Sequence, residues 1–238
     1  MEFDLFNELL AATTEEEWAK EIFKLASNLG FEQTLFAVLK SKSEPLENAY
    51  IKSNYSSAWR TTYDKEKLGY VDPTVNHTLH HTIPLFWTPD AFKAEKQKNL
   101  YEEASSYGLQ SGIIFPIHGA HGEYGMFSFA SERLANLKNK KEIEQVLPVL
   151  SLLRDYVFET SKKFLPVPEH GKEVHLTKRE LEILIWAKLG KSSWEIGRIL
   201  NCSEATVNFH ITNVRNKFEV HTRQQALVKA MQLGLLEV

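Results

Sequence analysis

Ser192-Ser193-Trp194-Glu195-Ile196-Gly197-Arg198-Ile199-Leu200-Asn201-Cys202-Ser203-Glu204-Ala205-Thr206-Val207-Asn208-Phe209-His210-Ile211 is the stretch that decides the C-terminal fold. Ser192 to Glu195 spells a capping box, in which a hydroxyl and a carboxylate satisfy the free amides at a helix start. Ile196, Ile199 and Leu200 follow inside that helix. After only Asn201-Cys202, Ser203 can cap another helix, with Val207, Ile211, Val214 and Phe218 on its inner face. Working outward, Thr177-Lys178-Arg179-Glu180 is a second capping box, opening a helix with Leu181, Leu184 and Ile185 that ends at Gly190. Thr222-Arg223-Gln224-Gln225 starts a last helix carrying Ala226, Leu227, Ala230 and Met231. Two short helices joined by a tight turn have the geometry of a helix-turn-helix.

The second helix of such a pair enters the DNA major groove, so its outward positions are the informative ones. Opposite Val207, Ile211 and Val214 lie Glu204, Asn208, Thr212, Arg215 and Asn216. Asn and Arg can make bidentate contacts to adenine and guanine edges. Lys191, Ser192, Ser193, Thr206, Lys217 and Arg223 suit phosphates, by charge, hydroxyl or helix-terminal amide. A plain four-helix domain with a polar solvated face would share this spacing.

The chain has 238 residues and a formal net charge of −3, which taken alone argues against nucleic acid. The charge is unevenly placed. Residues 170–238 carry ten bases against seven acids, net +3, which leaves −6 for the rest. The break falls at Phe164-Leu165-Pro166-Val167-Pro168-Glu169-His170-Gly171, where Pro-x-Pro fixes two φ angles and Gly171 adds a flexible joint. The expected organisation is therefore a first domain over 1–163, a linker over 164–172 and a helical domain over 173–238. A single cysteine, Cys202, excludes an internal disulfide framework. An acidic start and no long apolar run predict neither a signal peptide nor a membrane span, and hence a cytoplasmic protein.

The first domain reads as α+β. Thr14-Glu15-Glu16-Glu17 is a capping box followed by Trp18, Ile22, Phe23 and Leu25. Gln33 to Leu39 and Asn48 to Ile51 read as strands, as do Gly112 to His118 and Glu123 to Ala130, the last two joined as a hairpin through Gly119-Ala120-His121-Gly122. Ile143, Val146, Leu147, Leu150, Leu153 and Val157 predict a long amphipathic helix, with Pro148 expected to kink it. Helical ends around an antiparallel sheet predict an α-β-α sandwich, followed by the four-helix domain.

Leu176-Thr177-Lys178-Arg179-Glu180-Leu181-Glu182-Ile183-Leu184, with Gly190-Lys191-Ser192, Thr206-Val207-Asn208-Phe209-His210 and Asn213 to Phe218, closely resembles the LuxR-type helix-turn-helix. Many members have lysine where Asn208 stands. The first strand ends Val38-Leu39-Lys40 without a carboxylate pair, which rejects a phospho-acceptor receiver as the partner domain. Asn54-Tyr55, Ala58-Trp59-Arg60, Asp72-Pro73-Thr74-Val75 and Pro84-Leu85-Phe86-Trp87 instead resemble the autoinducer-binding domain of quorum-sensing regulators, closest to the LasR subgroup. The resemblance implies a regulator that binds an N-acyl-homoserine lactone, dimerises and reads a twofold-symmetric promoter, with RNA polymerase as a further partner, no cofactor, no metal and no membrane.

The residues are chemically suited to that ligand. Trp59 is a donor only and suits the lactone carbonyl. Asp72, when ionised, is an acceptor only and suits the amide N–H. The Tyr55 and Ser128 hydroxyls suit the amide carbonyl. Thr74, Tyr63, Trp87 and Phe92 complete the head-group site. By family analogy the acyl tail passes Leu35, Ala37, Leu39, Ala49, Ile51, Val75, Tyr124 and Met126. Ordinary core packing would also explain these aromatics, but a buried, unpartnered aspartate is costly. Two alternatives stay open: the same DNA-binding regulator with another small apolar ligand or none, or a lactone hydrolase. The sequence has neither a His-x-His-x-Asp-His metal motif nor a Gly-x-Ser-x-Gly nucleophile. His77, His80 and His81 place imidazoles at i, i+4 without a matching cluster. Gly119 to Gly125 has the wrong spacing for a dinucleotide loop. Cys202 reads as filler in the turn.

Overall fold

The computed structural model describes residues 3–42, 44–120, 122–130, 140–165 and 175–236. The chain divides into two compact units, 1–165 and 166–238. The Pro166-Val167-Pro168 and Gly171 positions of the expected linker lie outside the described residues, as do His121 of the hairpin turn and the side chain of Ile143.

In the first unit the elements run α1 (Asn7–Ala11), α2 (Glu15–Asn28), β1 (Gln33–Leu39), β2 (Tyr50–Ser53), α3 (Ser57–Lys65), α4 (Pro73–His80), β3 (Leu85–Trp87), α5 (Glu95–Ser106), β4 (Gly112–His118), β5 (Tyr124–Ala130) and α6 (Lys140–Ser161). The sheet is antiparallel, in the order β2-β1-β5-β4-β3. Helix α2 starts where the sequence places its capping box: Glu17 N–H donates to Thr14 Oγ1 at 3.2 Å, and Thr14 N–H donates back to the Glu17 carboxylate at 3.3 Å. Helix α6 continues across Pro148.

Because side chains alternate across a strand, each strand divides its residues between two layers. Phe36, Val38, Ile113, Phe115, Ile117, Phe127 and Phe129 face one core, together with Leu9 of α1, Trp18 and Ile22 of α2 and Leu150, Leu153 and Val157 of α6. The Trp18 indole donates to Thr160 Oγ1 at 2.8 Å, tying α2 to the end of α6. Phe164 and Leu165, read as the start of the linker, pack against this core.

Three details differ from the sequence reading. The helices at the two ends of the domain share one face of the sheet; the opposite layer comes from the middle of the chain, α3 to α5. Leu46–Asn48 forms a 3-10 turn, so the second strand begins at Tyr50 rather than Asn48. Strand β3, unread in the sequence, completes the sheet beside β4. It approaches closely because of Gly112: a Cβ there would lie 2.6 Å from the Trp87 indole and 2.4 Å from Phe129 O.

The second unit contains α7 (Lys178–Lys188), α8 (Ser193–Ile199), α9 (Glu204–Phe218) and α10 (Arg223–Gln232). Thr177, Ser192, Ser203 and Thr222 each accept an amide of the first turn of their helix, as their positions predict. Ile183, Ala187, Ile196, Val207 and Ile211 form one apolar cluster; Leu184, Val214, Phe218, Ala226 and Ala230 form another.

Candidate functional site

The cavity-facing side of the sheet follows from the same alternation. Leu35 pairs with Ser128, Ala37 with Met126 and Leu39 with Tyr124, while Ala37 also pairs with Ile51 on the other side. These residues form the floor of a cavity of about 370 Å³. Its other walls come from α3, the start of α4, the segment around β3 and α5. Every residue expected from the sequence to meet a ligand lines this one cavity, from Leu35 on β1 to Ser128 on β5.

One end of the cavity is polar. Asp72 caps α4 by accepting Thr74 N–H at 2.8 Å, with Pro73 fixing the first helical residue. Its carboxylate also accepts the Thr74 hydroxyl at 2.6 Å and the Tyr63 hydroxyl at 2.8 Å. Burial pushes the Asp72 carboxyl above its usual value, and the hydrogen bonds from Thr74 and Tyr63 oppose that rise. Burial and the Asp72 charge hold the Tyr63 phenol well above its ordinary value. Tyr55 donates to Ser128 Oγ at 3.1 Å, and burial pushes its phenol up to about 12. Both phenols therefore stay protonated at neutral pH and can act as donors. Trp59, 3% exposed, meets Tyr63 edge-on at 5.6 Å. Trp87 Nε1 is buried without a hydrogen-bond partner among the described residues. Apolar walls around convergent donors and one acceptor form a small-molecule site.

The rim was not legible in the sequence. Glu47 and Lys67, on separate loops, form an ion pair at 3.1 Å, and Tyr70 donates to Glu47 at 3.0 Å. Leu46 and Gly69 adjoin them, and all five residues line the cavity. Arg60 also lines it, paired with Asp64 and lying over the Tyr63 ring at 5.0 Å. Loop residues brought together from separate segments give no local sequence signal.

The histidines predicted to share a helix face do not converge on a metal site. His77 stacks on His81 at 4.5 Å, and its Nε2 lies 2.9 Å from Ile83 O. Among the described residues no group of three or more His, Cys, Asp or Glu side chains is placed to hold a metal. Nor is any helix among them long and apolar enough to cross a membrane.

In the second unit α8 and α9 form the helix-turn-helix. Asn201 takes a left-handed conformation at φ 51°, which an asparagine tolerates. Cys202 N–H donates to Gly197 O at 2.9 Å, and a Cβ on Gly197 would lie 2.8 Å from Cys202 O, so glycine lets the turn fold tightly against α8. Cys202 itself packs against the Ile183–Val207 cluster. Glu204, Asn208, Thr212 and Asn216 are exposed on α9, whereas Arg215 is half-buried and its Nε is enclosed without a partner among the described residues. The candidate phosphate contacts differ in availability. Lys217 Nζ lies 2.7 Å from Glu180, which is 3% exposed, and also donates to His175 O. Arg223 donates to Lys191 O, and Lys191 pairs with Glu195 at 3.2 Å. The Ser192 and Ser203 hydroxyls cap their helices, Ser203 also meeting Thr206 Oγ1 at 2.8 Å, while Ser193 opens α8.

Residues 14–161 match the family described as "Autoinducer binding domain", and residues 174–230 match "Bacterial regulatory proteins, luxR family". The chain is 32% identical over 236 residues to the transcriptional activator protein AnoR of Acinetobacter nosocomialis, covering 98% of both. It is 35% identical over 215 residues to the transcriptional activator protein LuxR of Aliivibrio fischeri, covering 90% of this chain and 85% of that one. The crystal structure of Escherichia coli SdiA superposes with a TM-score of 0.77 at 26% identity, covering 98% of this chain and 97% of that one. SdiA in complex with octanoyl-rac-glycerol superposes at 0.76 with 25% identity, covering 96% and 92%. These matches do not single out the LasR subgroup.

Proposed function

The chain belongs to the LuxR family of transcription regulators, with an autoinducer-binding domain ahead of a DNA-binding helix-turn-helix, and on that premise we propose that its ligand is an N-acyl-homoserine lactone. Ligand binding then favours a homodimer that reads a twofold-symmetric promoter site. The family is one of regulators rather than enzymes.

The observation that carries the ligand class is the Asp72 carboxylate, held by Tyr63 and Thr74 at the polar end of a cavity whose floor is apolar. A carboxylate is an acceptor, so its complement is a donor within an apolar molecule, and an amide N–H meets that description. The amide carbonyl then falls to the Tyr55–Ser128 hydroxyl pair and the lactone carbonyl to the Trp59 indole. The acyl tail lies along the floor formed by Leu35, Ala37 and Ile51, under Val75. A ligand that binds only the folded state adds about 2.7 kcal/mol of stability at a hundredfold excess over Kd.

Dimerisation follows from the demands of readout. One recognition helix touches few base pairs, and two half-sites multiply discrimination. The second unit carries a charge of only +3 over residues 170–238, so phosphate attraction by a single copy is modest. RNA polymerase is the partner such a dimer would contact at a promoter. A second ligand reading rests on the octanoyl-rac-glycerol complex of SdiA: an acylglycerol offers hydroxyl donors to Asp72 in place of the amide.

The test is sedimentation of the full chain, with binding to a promoter duplex, in the presence and absence of a panel of acyl-homoserine lactones. The expected result is a shift to dimer and tighter DNA binding with one or a few members. Identical mass and affinity across the panel would overturn the proposal.

A further inference from the structure

Phe209 is 62% exposed, the largest apolar side chain that α9 leaves uncovered. Its position is specific. At about 100° per residue, the buried side chains of Val207, Ile211, Val214 and Phe218 cluster on one side of the helix, and Phe209 falls about 180° from their centre. It therefore projects more directly away from the core than Asn208 or Thr212. Its exposed neighbours on that face are Ala205, Asn208, Thr212 and Asn216. The Thr212 hydroxyl is committed to Asn208 O at 2.9 Å. The His210 ring meets Phe209 edge-on at 5.6 Å and limits its freedom. Single exposed apolar residues are common on protein surfaces. This one lies in the N-terminal half of the helix that enters the major groove. There an apolar side chain has one apolar complement, the 5-methyl group of thymine, which marks A·T pairs apart from G·C pairs.

We propose that Phe209 is a specificity-determining residue of the DNA contact, reading a thymine methyl group in each half-site. In this arrangement Asn208 takes a hydrogen-bonding base edge, and Phe209 selects for thymine at a nearby position by burying its methyl group. The discrimination expected from burying one methyl is about fourfold per half-site, or about fifteenfold for two equivalent half-sites.

The full-length protein, supplied with a mixture of short- and long-chain N-acyl-homoserine lactones, is used to select a tight-binding duplex from a random pool. Each thymine of the selected half-site is then replaced in turn by deoxyuridine, which removes only the methyl group. The expected result is one position at which deoxyuridine weakens the wild-type protein about fourfold per half-site. Phe209→Ala should bind the thymine duplex with that same loss and show no further loss with deoxyuridine, while Phe209→Leu retains part of the penalty. Because Phe209 is exposed, thermal melting of the variants should match the wild type, which separates contact from folding. Insensitivity of the wild type to deoxyuridine at every position would overturn the inference. So would a Phe209→Ala variant that keeps the full deoxyuridine penalty, or one that binds DNA normally.

Discussion

Replacing Asp72 by Asn separates the binding role of this residue from its structural one. As the cap of α4, Asp72 accepts Thr74 N–H at 2.8 Å, and asparagine caps a helix about as well as aspartate. The Tyr63 hydroxyl, now donating to Oδ2, can instead accept from the new amide. Burial has raised the Asp72 carboxyl, which means that the charged form is penalised there. The unliganded Asp72→Asn protein should thus be as stable as the wild type or slightly more so. Binding should suffer, because the ligand amide loses an ionised acceptor. A hydrogen bond to a charged group contributes about 2 kcal/mol, equivalent to about a thirtyfold increase in Kd. At a ligand concentration one hundred times the wild-type Kd, ligand-induced stabilisation should fall from about 2.7 to about 0.9 kcal/mol. For a chain of this size that reduces a melting shift of about 5–11 °C to about 2–4 °C. Titration calorimetry and thermal melting with an N-acyl-homoserine lactone read both quantities. An unchanged Kd would refute the assignment of Asp72 to the amide. Collapse of the unliganded protein would refute the separation of roles.

Other outcomes follow from the same geometry. Affinity should fall as pH is lowered through the raised Asp72 value, because protonation turns the acceptor into a donor; binding should release a proton, and Asp72→Asn should flatten the profile in a Kd-versus-pH series. Ala37→Leu adds bulk to the floor between Met126 and Ile51, so it should weaken long-chain lactones about tenfold while sparing short ones in competition binding. Lys217→Met leaves Glu180 buried beside Thr177 without its cation, and denaturant melting should show a loss of about 1–3 kcal/mol. If Lys217 instead serves mainly as a phosphate contact, stability will hold and the salt slope of DNA binding will fall by about one.

The sequence made some parts of this molecule readable and hid others for identifiable reasons. Helix starts at Thr14, Thr177, Ser192 and Thr222 were legible because each capping box is complete within four residues. The cavity floor was legible because Leu35, Ala37 and Leu39 alternate with the buried Phe36 and Val38. Helices α3 and α5 lack such signals: the residues that precede them, Ser56 and Ala94, make no side-chain capping bond. Strand β3 is only Leu85–Trp87, too short to show a period. Asn48 belongs to a 3-10 turn and the strand begins at Tyr50, a boundary that β-branched and aromatic composition does not mark. The chemical assignment of Trp59 and Asp72 drew on family resemblance, because burial alone explains an aromatic as well as ligand contact does. Phe209 carries no hydrogen-bonding group, so the polar pattern of α9 does not mark it.

The central claim is that the cavity holds an N-acyl-homoserine lactone. The most direct measurement is mass spectrometry of the small molecule extracted from protein produced in medium supplied with both acyl-homoserine lactones and monoacylglycerols. The account predicts one acyl-homoserine lactone at close to one equivalent per chain, and less of it from Asp72→Asn. Recovery of a monoacylglycerol at one equivalent, or of folded protein with nothing bound, would contradict it.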